Sequence, residues 1–184
     1  MKIMAFVGSP RKNGNTAKIV NAIGKGAQES GHEFEVYNLA EMNNKGCLAC
    51  DACQSKKVDF CAIDDKLTIL LPKIADADCI ILGTPVYMIH VSGHTKNFLD
   101  RLRPFLEQHN IPKQLPGKKY ITVTCSGAPA AAFTNVTEYL NQLFGYFKME
   151  NAGNIIGGGL NEKDGIMGQP EILKQAEDMG RKLR

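Results

Sequence analysis

Cys47-x2-Cys50-x2-Cys53-x7-Cys61 puts four thiols within fifteen residues. Three thiolates at two-residue gaps can wrap one small inorganic centre, and a fourth follows one short loop later. A compact triplet with a more distant fourth cysteine is the ligand supply of a cubane iron–sulfur cluster. Zinc also accepts four thiolates, but its structural sites more often use two separated C-x2-C knuckles. A disulfide framework belongs to secreted chains. Here only Met1-Lys2 and a short apolar run through Val7 open the sequence, which is no secretory signal. The spacing favours a cluster, then free or redox-active thiols, then structural zinc.

Three further segments carry donors. Gly8-Ser9-Pro10-Arg11-Lys12-Asn13-Gly14-Asn15-Thr16 combines glycines, hydroxyls and a guanidinium just ahead of a helical pattern. Backbone amides, the Ser9 and Thr16 hydroxyls and Arg11 can converge there on an anion at a helix N-terminus. The segment is neither a Walker A loop nor a G-x-G-x-x-G turn, and a terminal phosphomonoester suits it. The plain alternative is a polar strand-to-helix turn. Gly83-Thr84-Pro85-Val86-Tyr87-Met88 offers an apolar and aromatic wall with free amides, fit for a flat ring with a polar edge. On the plain reading, Tyr87 is a core-edge aromatic and Asp100-Arg101 a surface pair. Thr124-Cys125-Ser126-Gly127-Ala128-Pro129 is small and polar enough for a ligand to approach closely. Cys79 and Cys125 read as packing residues. No Ser-His-Asp or Cys-His set is legible. His32, His90, His94 and His109 stand singly; His90 and His94 flank the aromatic segment, where a proton relay is a weak expectation.

These segments need elements to hold them. Lys2 to Val7 reads as a buried parallel strand. Thr16 to Ser30 has helical spacing closed by Gly31. Glu33 to Tyr37 alternates as a second strand, and 43–63, with neither period, is an inserted loop. Asp64-Asp65 can cap a helix from Lys66 to Ala75. Strands follow at 78–83, 120–124 and 149–156, with helices at 93–107, 132–146 and 170–183, the last opened by Pro170. Five strands each followed by a helix predict an α/β, doubly wound, five-stranded parallel sheet, whose ligands sit beyond the strands' carboxyl ends at the switch in strand order.

Composition agrees with one domain over 1–184. Hydrophobic residues make up 43% and charged residues 22% of 184, ordinary globular values. No apolar run reaches the roughly 20 residues of a membrane helix, and a net charge of +3 without a basic stripe argues against nucleic acid. The expected location is the cytoplasm, where thiols stay reduced.

Gly-Ser-Pro-Arg-Lys-x-Gly-Asn-Thr at 8–16, Thr-Pro-Val-Tyr at 84–87 and Lys-Asn-Phe-Leu-Asp-Arg at 96–101 together resemble the NADPH-dependent FMN reductase family. With the cysteine loop after the second strand, the chain more closely resembles that family's iron–sulfur flavoprotein branch. The likeness runs over nearly the whole chain. It implies a flavodoxin-like fold with non-covalent FMN. Ser9, Arg11, Asn15 and Thr16 would hold the phosphate, and Pro85, Val86, Tyr87 and Met88 would line the ring. Ser126 and Gly127 would close the site. Relatives often carry serine where this chain has Gly14. The resemblance also implies a [4Fe-4S] cluster on Cys47, Cys50, Cys53 and Cys61, although the gap before Cys61 is longer than in the tightest versions of the motif. It implies a homo-oligomer, dimer or tetramer, with clusters near flavins.

Three functions follow as expectations. The leading one is an FMN-dependent redox enzyme passing electrons between FMN and the cluster, with a donor such as NAD(P)H or ferredoxin. The second is a cluster-free NAD(P)H-dependent reductase of flavins or quinones. The third is a non-enzymatic carrier resembling flavodoxin, against which the positive charge speaks.

Overall fold

The computed structural model describes residues 1–106 and 115–184; Glu107, the expected end of the third helix, and His109 lie outside the described residues. Alternation builds the centre. In β1 (Lys2–Val7), Ile3, Ala5 and Val7 enter one apolar core, while Met4 and Phe6 enter another on the opposite side. That is the period of two that a pleated strand imposes. With both faces covered, such a strand must be apolar throughout.

β1 pairs in parallel with β2 (Glu33–Asn38) on one side and β3 (Cys79–Tyr87) on the other. The sheet order is β2-β1-β3-β5-β6, with β5 at Lys119–Cys125 and β6 at Glu150–Gly157. The chain steps outward once, from β1 to β2 through α1 (Asn15–Glu29), and then builds in the other direction. Right-handed crossovers place helices on opposite faces when the direction of building reverses. Accordingly α1 packs on one face. On the other lie α2 (Lys66–Asp76), α3 (Gly93–Asp100) and α4 (Thr134–Tyr146). The final helix α5 (Pro170–Arg181) returns to α1's face. Among the described residues, no helix is long and apolar enough to cross a membrane.

The expected parallel sheet is present, and it carries a sixth strand that the sequence did not suggest. β3 runs on to Tyr87, and β4 (His90–Val91) turns back antiparallel against Val86 and Tyr87. The expected third helix is short. It ends at Asp100, and Arg103–Phe105 forms a 3-10 turn because Pro104 has no N–H for a continuing helix. Gly31 ends α1 at φ +81°, its N–H on the Gln28 carbonyl at 2.9 Å.

Asp100-Arg101 is not a surface pair. Asp100 does pair with Lys96 at the surface, but Arg101 is only 1% exposed. Its guanidinium forks onto Asp65, Nη1 to Oδ2 at 2.7 Å and Nη2 to Oδ1 at 3.0 Å, and also donates to the Lys45 carbonyl and Thr68 Oγ1. Asp65 meanwhile caps α2 by accepting the Thr68 N–H at 3.0 Å. Burial opposes the Asp65 charge, but the bonds from Arg101 and the Thr68 amide outweigh it and hold its pKa below the ordinary carboxylate value. The cysteine loop is clamped to α2 and α3 through this pair.

Asp65→Asn keeps the cap but leaves Arg101 buried without its counter-ion. Removing one member of a buried pair costs about 3–5 kcal/mol, to be read as a lower urea midpoint. Because the folded pKa is depressed, the carboxylate's contribution is complete above its unfolded value and is lost as pH falls through the folded one. The variant should lack that acid limb. A loss under about 0.5 kcal/mol, the range of ordinary surface changes, would show that the pair anchors nothing.

Candidate functional site

The carboxyl ends of β1, β3 and β5 meet at the switch in strand order, and a cavity of about 190 Å³ opens there. Ser9, Arg11, Asn15 and Thr16 line it from the β1 end, Pro85, Val86 and Tyr87 from β3, and Cys125, Ser126 and Gly127 from β5. Nine of the ten residues expected from sequence are therefore brought together. A larger groove of about 670 Å³ lies at the amino ends of the strands, around Lys119, Ala152 and the α5 carboxyl end. Ligands of open α/β sheets bind at the opposite end.

A buried hydroxyl network holds these ends in register. Thr84, Ser92 and Thr95 are fully buried. Ser92 Oγ donates to the Gly8 carbonyl at 2.7 Å, Thr95 Oγ1 donates to Thr84 Oγ1 at 3.0 Å, and Thr84 Oγ1 donates to the Pro85 carbonyl at 2.9 Å. The Ser92 N–H also donates to Thr84 Oγ1, and Ser92 Oγ accepts the Thr95 N–H that starts α3. Each hydroxyl has one proton, so the 3.0 Å contact between Ser92 and Thr95 is an alternative arrangement of the same protons. Gly8 has to be glycine, since a Cβ there would lie 1.8 Å from Thr95 Oγ1. The network ties the loop after β1 to the strand end of β3.

The segment from Ser9 to Thr16 leaves donors free at the start of α1. Gly14 caps α1 without a side-chain bond, and no acidic residue sits in the first turn, so the first amides of α1 stand free. Ser9 Oγ accepts the Arg11 N–H at 3.2 Å and keeps its own proton to give. Asn15 is placed differently from expectation. Its amide donates to the Leu160 and Glu162 carbonyls, and its Oδ1 accepts the Ile166 N–H. The side chain is spent on tying the loop after β6 to α1.

Met88 is not part of the cavity lining. It is 95% exposed at the tip of the β3–β4 hairpin, where Met88 and Ile89 both have positive φ, 47° and 68°. Two positive φ values are the signature of a type I′ turn, which usually takes Asn-Gly. A β-branched isoleucine there is a genuine outlier. Tyr87, Met88 and Ile89 thus form an exposed apolar tip beside the cavity.

Three lining residues were not expected, Cys125, Leu160 and Asn161. Asn161 Nδ2 donates to the Gly127 carbonyl at 3.2 Å, which closes the β5 side. Leu160 and Asn161 follow β6, and the strand-end rule applied to that strand would have pointed to them. Cys125 also lines the cavity. Burial pushes its thiol up to about 11, with a bond to Thr16 partly opposing, so it is neutral at pH 7. Burial likewise pushes Cys79 up to about 12.

The cysteine loop has its own anchors. Phe60 packs on Phe105 at 5.8 Å, Asp51 pairs with Arg103, and Gln54 Nε2 donates to the Arg103 carbonyl at 2.8 Å. Cys47 and Cys50 are exposed, Cys61 is half-buried and Cys53 is buried; all four are free thiols. Among the described residues, no three of His, Cys, Asp or Glu are gathered as a metal site. The donor chemistry still suits a thiolate-bound centre. The Ala49 N–H lies 3.4 Å from Cys47 Sγ and Gln54 Nε2 lies 3.6 Å from Cys53 Sγ, and the buried Nε atoms of Arg101 and Arg103 have no partner.

Thr84→Val removes the shared acceptor of the network without changing its shape. The Ser92 N–H and Thr95 O–H would be left buried and unpaired, at a cost of about 1–3 kcal/mol. Urea unfolding measures it, and an unchanged midpoint would show that the hydroxyls find other partners.

The model of the NADPH-dependent FMN reductase family matches residues 1–157. An iron-sulfur flavoprotein of Archaeoglobus fulgidus is 29% identical over 183 residues, covering 100% of this chain and 79% of that one. One from Methanocaldococcus jannaschii is 27% identical over 186 residues, covering 100% and 95%. Among solved structures, an NAD(P)H:quinone oxidoreductase from Methanothermobacter marburgensis superposes with a TM-score of 0.78 at 18% identity, covering 98% of this chain and 94% of that one. That likeness shows the same fold. With the family model spanning all three segments that meet at the cavity, this chain belongs to the NADPH-dependent FMN reductase family and is an FMN-dependent oxidoreductase.

Proposed function

We propose that the chain is an oxidoreductase of the iron–sulfur flavoprotein type, working as a single FMN-binding domain that passes electrons between FMN and a [4Fe-4S] cluster. The observation that carries the flavin half is the cavity at the switch point, where three segments far apart in sequence converge. Ser9, Arg11, Thr16 and the free amides of α1 would hold the phosphate. The side chain of Asn15 is committed elsewhere, so it positions the loop after β6. Pro85, Val86 and Tyr87 would line the ring, with Met88 at its open edge, and Ser126, Gly127 and Asn161 would close the far side. When bound, FMN supplies the chemistry that couples a two-electron donor such as NAD(P)H to a one-electron partner such as ferredoxin or a cluster.

Cys47, Cys50, Cys53 and Cys61 would hold the cluster. Their spacing, the N–H groups near Cys47 and Cys53 and the names of the relatives support this. A second reading is the cluster-free NAD(P)H-dependent reductase, in which the four thiols stay free. The exposed apolar tip at Tyr87, Met88 and Ile89, with Leu48 exposed on the cysteine loop, supports a homo-oligomer in which these surfaces are covered.

Three measurements test these readings. Arg11→Ala removes a charge-assisted contact worth about 1.5–3 kcal/mol, so FMN should bind roughly ten- to a hundred-fold more weakly in a fluorescence titration of apo-protein. Unchanged affinity would take Arg11 out of the site. Anaerobically reconstituted wild type should contain iron and sulfide, and Cys50→Ser should lose both while keeping FMN; wild type without iron would hand the function to the cluster-free reductase. A monomer by sedimentation would remove the oligomer.

A further inference from the structure

The segment after β6 is held from two sides, and the cavity lies between the two sets of bonds. On the β5 side its backbone is zipped to the loop after that strand. The Ser126 N–H donates to the Gly157 carbonyl at 2.9 Å, the Gly159 N–H to the Ala128 carbonyl at 2.8 Å and the Leu160 N–H to the Ser126 carbonyl at 2.9 Å. Glycine permits this close approach. A Cβ on Gly158 would lie 2.1 Å from the Ala130 nitrogen, and one on Gly127 would lie 2.2 Å from Asn161 Oδ1. Leu160 and Asn161 then line the cavity as one of its walls. On the α1 side, two side chains three residues apart hold the same segment, a spacing that puts them on one helix face. The Asn15 amide bonds to the backbone of Leu160, Glu162 and Ile166. Lys18 Nζ donates to Asp164 Oδ1 at 2.6 Å and to the Asn13 carbonyl at 2.6 Å.

Lys18 therefore ties the loop after β1 to the segment after β6. Among the described residues, the cavity lining includes neither Lys18 nor Asp164, so the pair acts through what it holds. We propose that Lys18 and Asp164 are positioning residues for the flavin, their ion pair fixing residues 158–166 against the loop after β1 before FMN arrives. The inference rests on the flavin site proposed above. A wall that is ordered in advance spares the ligand the entropy cost of ordering it. Loosening such a wall shows mainly as faster dissociation, because changes within one binding site fall on the off-rate. The competing role is direct contact of Lys18 with the FMN phosphate. In that case Asp164 would only compete for the ammonium, and removing its carboxylate would tighten binding.

The test follows FMN binding to apo-protein of the full chain by stopped-flow fluorescence. Wild type is compared with Asp164→Ala, Asp164→Glu, Lys18→Ala, the double Lys18→Ala/Asp164→Ala variant and, as a reporter of the site itself, Arg11→Ala. FMN should leave Asp164→Ala about threefold faster than wild type, a change of the size that a partly exposed ion pair can supply. Asp164→Glu keeps the carboxylate and should return the rate towards wild type. The double variant should release FMN no faster than Lys18→Ala, since the members of one pair are not additive. Dissociation from Asp164→Ala that is unchanged or slower, no recovery in Asp164→Glu, or effects that multiply in the double variant each overturn this inference. If Arg11→Ala still weakens FMN in that case, the flavin site stands. Wild type that binds no FMN overturns both.

Discussion

A buried guanidinium sets the terms for one whole side of this molecule. Arg101 is 1% exposed, and an enclosed charge is tolerated only when it is paired. Asp65 meets that requirement while capping α2, and the Lys45 carbonyl brings the start of the cysteine loop to the same point. The position of α3, the entry of α2 and the seating of the loop are thus solutions to one electrostatic problem. An apolar residue at 101 could fill the space but could not specify which carboxylate and which carbonyl gather around it.

The hydroxyl network of Thr84, Ser92 and Thr95 plays the corresponding part at the flavin side. It joins the carbonyl of Gly8 to the end of β3 and the start of α3, so the loop after β1 and the end of β3 are tied together. A site built on the ends of parallel strands gains its precision from such links, because loops alone would let the two halves drift. The free amides of α1 and the exposed tip at Met88 and Ile89 then differ in kind. The first is a helix N-terminus with free N–H groups, which favours negative charge. The second is a strained turn kept beside the cavity, a place where backbone strain commonly accompanies function.

Between these two centres lies α3. Its N-terminus belongs to the hydroxyl network through Ser92, and Arg101 at its carboxyl end holds the cysteine loop. One short helix of Gly93–Asp100 therefore bridges the switch-point cavity and the thiols, which gives the two proposed redox centres a common support.

The five parallel strands, most of the helices and the segments that meet at the switch point were legible in the sequence because each depends on local pattern. Period-two burial marks β1, Gly31 marks the end of α1, and polar segments after apolar runs mark Ser9 to Thr16 and Ser126 to Gly127. The spacing of Cys47, Cys50, Cys53 and Cys61 is likewise local and names a donor set. What the tertiary structure decided are matters of partner choice across distance. Only folding spends the Asn15 amide on residues 160–166, brings Asn161 to Gly127, and turns Met88 outward at a hairpin whose Met-Ile tip lacks the usual Asn-Gly signal. Only folding, too, buries Arg101, since nothing in its neighbours in sequence distinguishes it from the exposed Asp100. The reason is physical: a hydrogen-bonding side chain satisfies its valence with whatever the topology places beside it, and sequence spacing does not encode those neighbours.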